Sequence, residues 1–132
     1  MDRRILAAGL VIGGLALAGT ALGQAAITRT VLQRADIPNT GYEGITGVAE
    51  IPAGLSLGKH THPGVEIGYV LSGELVISVE GKERLKVKAG ESYTIPAGVV
   101  HDAENTTKET TRALATWMVE KGKPLATPAT KP

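Results

Sequence analysis

The chain contains no cysteine at all. That excludes disulfides, a thiol nucleophile, a zinc ribbon and a lipid-modified cysteine, so stability has to come from the core alone. Aromatic residues make up 3% of the sequence, and histidine occurs three times. The region after the N-terminal segment has no helical periodicity of useful length. Charge of one sign is also lacking. Taking Arg3, Arg4 and Asp2 out of the 14 basic and 13 acidic residues leaves twelve of each beyond Gly23. A neutral domain of this kind gives no reason to expect nucleic acid or an anionic membrane surface as a partner.

What is present falls into three parts. The start, MDRR followed by an uncharged run of apolar and small residues from Ile5 to Leu22, reads as a secretory signal peptide covering residues 1–23, with cleavage after Gly23 or Ala25. An uncleaved membrane anchor is the alternative. Either form places the folded part in the periplasm or outside the cell. Residues 26–120 are one domain of short strands, and residues 121–132, rich in Lys, Pro and Thr, are expected to form a loosely ordered tail. The expected strands are Ile27 to Arg34, Ile45 to Ile51, Glu74 to Glu80, Glu83 to Lys88, Ser92 to Ile95 and Arg112 to Val119, separated by Gly, Pro and Asn. Gly81-Lys82 marks a hairpin. Strands at this regular spacing indicate an antiparallel sandwich or barrel.

The chemistry concentrates in Gly54 to Gly73, GLSLGKHTHPGVEIGYVLSG. If Lys59 to Pro63 is extended, His60 and His62 face the same side, because side chains alternate with a period of two. Pro63-Gly64 turns the chain, and Glu66 opens the next apolar run. His101, the third histidine, is the fourth candidate ligand. Three imidazoles and a carboxylate suit a divalent transition metal such as Fe, Mn, Ni, Cu or Zn, with positions left for water or substrate.

The order of these residues resembles the cupins. Their first motif is met by Gly54, His60, His62, Glu66 and Gly73, and their second by Gly90, Pro96, Gly98, His101 and Asn105, with every spacing kept. The resemblance implies an all-β, double-stranded β-helix (jelly-roll) barrel in which His60, His62, Glu66 and His101 hold one metal. It also implies a homodimer as the expected assembly, often formed in this family through exchange of an N-terminal strand. Asn105 is expected to make a structural hydrogen bond rather than touch a ligand.

Around this centre, Tyr69, Tyr93 and Trp117 lie in apolar strands and are candidates to line the pocket. Alternation from Glu66 turns Tyr69, with Ile67 and Leu71, to the outer face. Trp117 is a candidate for the pocket wall or for core packing. Tyr42, in a glycine-rich loop, is a candidate lid or a loop anchor. Glu91 and Asp102 read as solvated neighbours of the motifs.

Function is less constrained, because this barrel hosts many activities. The expected role is an exported metalloenzyme acting on an oxygen-bearing small molecule. With the histidines committed to metal, only Glu66, the candidate catalytic residue, a tyrosine or metal-bound hydroxide is left to move a proton, and this lack of a dedicated acid or base favours dioxygenase-like chemistry over acid/base isomerisation. The alternatives are a non-enzymatic periplasmic domain binding a metal or small ligand, and a metal-dependent isomerase, lyase or decarboxylase.

Overall fold

The computed structural model describes residues 25–129, so the expected signal segment at 1–23 lies outside the described residues. Ten strands form: β1 (Thr28–Asp36), β2 (Tyr42–Ile51), β3 (His60–Thr61), β4 (Gly64–Ser72), β5 (Glu74–Val79), β6 (Leu85–Lys88), β7 (Ser92–Ile95), β8 (His101–Glu104), β9 (Thr111–Glu120) and β10 (Thr127–Pro128). They build two antiparallel five-stranded sheets, ordered β1-β2-β9-β4-β7 and β10-β3-β8-β5-β6. This is the jelly-roll architecture expected from the motifs.

Local sequence explains the joints. The first hairpin closes more tightly than the gap between the expected strands ending at Arg34 and starting at Ile45, because Asn39 takes a left-handed conformation (φ 61°) that asparagine tolerates better than most residues. Thr40 Oγ1 donates to the Ile37 carbonyl at 2.8 Å and accepts from the Tyr42 N–H at 3.1 Å. The strand can therefore begin at Tyr42, and β2 pairs with β9 from Tyr42–Glu120 to Ile51–Thr111. The Gly81 turn joins β5 to β6, with Ile77 opposite Leu85.

The chain passes from one sheet to the other at Gly73. Its φ is 82°, and a Cβ there would lie 2.3 Å from Thr111 Oγ1, so a larger residue is both strained and obstructed. Thr111, fully buried, donates to the Glu74 carbonyl and accepts from the Glu74 N–H. Between the sheets lies a core that includes Ile51, Val70, Leu75, Ile77, Val87 and Ile95, each side chain contributing about 1.5–3 kcal/mol by burial.

The motif asparagine is structural, as expected. Asn105 is fully buried, and its Nδ2 donates to the carbonyls of Ile51 and Glu109 while its Oδ1 accepts from the Thr107 N–H and hydroxyl. It holds the β8–β9 connection in shape.

The C-terminal segment departs from expectation. Instead of hanging loosely, β10 pairs with β3, Thr127 opposite Thr61 and Pro128 opposite His60, and the Ala129 N–H donates to the Lys59 carbonyl. The physical reason is that β3 would otherwise be an unpaired edge, which a short extended segment can cover even without apolar residues.

Candidate metal centre

The site is assembled from both sheets. His60 on β3 and His101 on β8 are register partners in one sheet; Glu66 on β4 and Trp117 on β9 are register partners in the other. His62, just after β3, sits between the pairs. His60, His62, Glu66 and His101 are all buried, and ligating atoms of the three histidines lie within 4.8 Å of one another.

The tautomers follow from the backbone. The Nδ1 atoms of His60, His62 and His101 lie 2.7, 2.6 and 2.9 Å from the carbonyl oxygens of Gly58, Leu125 and Val99. A carbonyl only accepts, so each Nδ1 carries hydrogen, and each neutral ring keeps its lone pair on Nε2. Those three Nε2 atoms converge. Glu66 Oε2 lies 2.8 Å from His62 Nε2 and 3.5 Å from His101 Nε2, which opposes lone pairs unless a cation or proton stands between them. His101 Nε2 is enclosed and has no hydrogen-bond partner. The donor set and this orphaned nitrogen fit a divalent transition metal at His60, His62 and His101, with Glu66 Oε2 beside them.

The electrostatics agree. Burial is the largest influence on His60 and lowers its pKa, outweighing the Gly58 carbonyl. Burial also pulls His101 down, but the Glu66 carboxylate, the Val99 carbonyl and Asp102 together hold it above its ordinary value of 6.5. Burial works to raise Glu66, yet His101, His62 and the Trp117 indole hold its carboxyl far below the usual range. The site is thus built around a carboxylate that stays ionised among neutral or shared-proton imidazoles.

Two aromatic residues fix the carboxylate and one ring. Tyr93 donates its O–H to Glu66 Oε1 at 3.0 Å, and burial followed by the Glu66 charge keeps that phenol protonated well above its usual range. Its ring lies over Gly68, where a Cβ would be 2.1 Å from Tyr93 Cζ. The Trp117 indole N–H donates to His62 Nε2 at 3.2 Å.

Tyr42 is 41% exposed at the start of β2 and does not line the cavity, so the candidate lid is an anchor of the first hairpin. Tyr69 faces outward as expected, with Ile67 and Leu71. Asp102 is less solvated than expected: its Oδ2 accepts from the Ser56 hydroxyl at 2.6 Å, and its Oδ1 is enclosed without a partner. Glu91 is exposed but accepts from the Lys88 N–H, bracing the turn before β7. The roles of Gly68 and of the Leu125 carbonyl escaped sequence reasoning. Alternation through Ser92 to Ile95 could have shown Tyr93 sharing an inward face with Ile95, opposite a gap at Gly68; nothing local marks Leu125.

Fold and site together define a jelly-roll barrel with a three-histidine centre capable of holding a metal. Residues 47–117 match the cupin domain family Cupin_2, and the chain belongs to that family. It is 47% identical over 45 residues to the HTH-type transcriptional regulator PuuR of Escherichia coli (strain K12), a stretch that is 34% of this chain and 24% of the regulator. The chain thus spans about a quarter of the length of the curated relatives it matches. Among solved structures, DMSP lyase DddQ from Ruegeria pomeroyi DSS-3 is 27% identical with a TM-score of 0.59, covering 65% of this chain and 43% of the lyase. Oxalate oxidase in complex with the substrate analogue glycolate is 25% identical with a TM-score of 0.61, covering 76% of this chain and 54% of the oxidase.

Proposed function

We propose that the protein is a small exported metalloenzyme that holds one divalent transition metal through His60, His62, His101 and Glu66 and acts on an oxygen-bearing small molecule, with oxygenation as its favoured chemistry. The observation that carries this reading is the tying of all three Nδ1 atoms to backbone carbonyls while the Nε2 atoms converge. Such a metal supplies Lewis acidity and, for iron, nickel or copper, redox chemistry. The chain supplies the rest. Glu66 turns Oε2 toward the histidines, since Oε1 accepts from Tyr93, and it could hold or move a proton at Oε2 only when that oxygen is not bound to the metal. Tyr93 stays protonated and positions that carboxylate, and the cavity wall excludes water. Among the described residues the lining adds no carboxylate or histidine beyond His60, His62, His101 and Glu66, and besides Tyr93 only Arg29 is a further titratable group. Metal-centred chemistry therefore accounts for the site better than a two-base isomerisation. Similarity to an oxidase and a lyase supports an enzyme of this scaffold.

Export rests on the MDRR start and the apolar run that follows, and is checked by the N-terminal mass of protein recovered from the periplasm. Elemental analysis of the purified protein beside a His101→Ala variant tests the centre. Near-stoichiometric metal that disappears in the variant is the expected result, followed by oxygen-uptake screens with enolic and phenolic substrates. Absence of metal from both proteins, with unchanged stability, would overturn the reading.

A second reading is a ligand-binding domain without turnover. The similarity to part of a transcriptional regulator favours it. Saturable ligand binding with neither oxygen uptake nor product would establish it. Product formed without oxygen uptake would instead indicate a lyase, isomerase or decarboxylase.

A further inference from the structure

The walls of the cavity narrow the class of ligand. The cavity measures about 270 Å³, just under the usual range for small-molecule sites, about 300–1,000 Å³. Most of its polar groups gather at one end, where Tyr93 donates to Glu66, and the Trp117 N–H, which donates to His62 Nε2, would be released as a donor once that lone pair binds metal. The remaining surface is mostly aliphatic, with Val31, Ile51, Leu57, Leu75 and Ile77 among its residues, and its polar members Arg29 and Thr30 stand beside Val31 on β1.

Small residues create the space. On the inner face of the β2–β9 pair, Ala49 stands opposite Ala113 and Gly47 opposite Ala115, and all four line the cavity. Larger side chains in these rows would fill the volume that the aliphatic walls enclose. Among the described residues, the one cationic side chain on the lining is Arg29, exposed on the edge strand β1. Away from β1, a second carboxylate carried against Ile51, Leu75 and Ile77 would meet neither a cation nor a side-chain donor, and burying an unpaired charge is strongly unfavourable.

We infer that the ligand is a neutral or singly charged small molecule with one oxygen donor group for the metal and an aliphatic or single-ring body, and that compact dianions such as oxalate are poor ligands. This inference rests on the metal reading above and deepens it. The donor head occupies the histidine end while the body lies along Ala49, Ala113 and Ala115, displacing water from apolar surface.

Trp117 is the single tryptophan of the chain and lines the cavity, so its fluorescence reports occupancy without turnover. The full chain, loaded with Zn(II) and its zinc content measured separately, is titrated with acetohydroxamate, butanohydroxamate, hexanohydroxamate and benzohydroxamate, and with oxalate. The head is constant across the hydroxamates and the body varies. Affinity is expected to rise about fourfold per added methylene until the cavity is full, with benzohydroxamate far above acetohydroxamate and oxalate weaker than butanohydroxamate. An Ala49→Val variant, expected to keep its zinc, should flatten the series. A flat series in the parent protein, oxalate as the tightest ligand, or no hydroxamate binding to a zinc-loaded protein would overturn the inference and leave the metal centre standing. Failure to retain zinc would overturn the metal reading and this inference with it, and the zinc measurement tells the two failures apart.

Discussion

His60 and His101 stand directly opposite one another on antiparallel β3 and β8, with ring centroids 4.3 Å apart. One backbone register thus brings together two histidines from separate motifs, and the carbonyls of Gly58 and Val99, each two residues upstream, give both rings the same tautomer. The second sheet delivers Glu66 by a register pair of its own with Trp117. Three of the four donor positions, His60, His101 and Glu66, are therefore fixed by strand pairing, while His62 follows β3 and is held by the Leu125 carbonyl.

The Glu66–Tyr93 hydrogen bond should be separable from the metal-binding residues themselves. In Tyr93→Phe, the buried carboxylate loses its phenolic partner, at a cost of about 1–3 kcal/mol. Metal affinity should fall about 10–100-fold, as it does when groups orienting metal ligands are removed. Gly68→Ala should reproduce much of this effect, because its new methyl would occupy the place of the Tyr93 ring. Denaturant midpoints and competition with a chromogenic chelator measure both. Unchanged metal affinity in Gly68→Ala would show that the ring position is not coupled to Glu66.

The C-terminal strap offers a second test. Leu125 presents its carbonyl to His62 Nδ1 and, with Ala126, lines the cavity. Ending the chain at Lys123 removes that acceptor and β10 together, leaving the His62 tautomer unselected and the β3 edge bare. Metal affinity should drop about 10–100-fold, and the Trp117 emission should shift to the red as water enters. Leu125→Ala, which keeps the carbonyl, should leave metal affinity nearly unchanged. Equal losses in both variants would assign the effect to the leucine side chain.

Much of this was legible in the sequence because it depends on alternation and turns. Burial switches residue by residue from Glu66 to Leu71, as the period of two requires, and the expected span of β7, Ser92 to Ile95, agrees with the fold. Alternation says which face a residue occupies but not which strand lies beyond it. The pairing of Trp117 with Glu66, the fit of Tyr93 over Gly68 and the return of β10 to β3 depend on sheet order. Tyr42 shows the converse: a loop rich in turn residues left a lid and an anchor equally open, while a single left-handed Asn39 shortens that loop and commits Tyr42 to the ladder.

The metal-free protein should show opposed pH dependences from two histidines. His101 is held above its ordinary 6.5, so its contribution to stability is fully present below pH 6.5 and lost as pH rises through its folded-state value. His60 is held below 6.5, so its neutral form stabilises above pH 6.5 and that contribution fades as pH falls through its folded-state value. After chelator treatment, the stability difference between the parent protein and His101→Gln should shrink as pH rises, and that for His60→Gln should grow. Metal must displace the His101 proton, so apparent metal affinity should climb with pH through the same region. A His101→Gln difference independent of pH would contradict the coupling of His101 to the Glu66 carboxylate.

The outer face of the β1-β2-β9-β4-β7 sheet leads to the last prediction. Ile67, Tyr69 and Leu71 are 49%, 43% and 40% exposed, and the β9 residues beside the first two are Thr116 and Leu114. Contiguous exposed apolar residues on one flat face mark an association surface more often than a solvated one. A homodimer covering this face would bury them, and two copies of one patch are complementary only through a two-fold axis. Light scattering on the full chain should therefore give the mass of a dimer, and Ile67→Glu with Tyr69→Glu should yield a folded monomer that still holds metal, because both side chains point away from Glu66. A monomeric mass for the parent protein at the same concentrations would remove the dimer and leave the outer face exposed. A dimer that survives both substitutions would instead move the interface to β1, whose nine residues are all exposed.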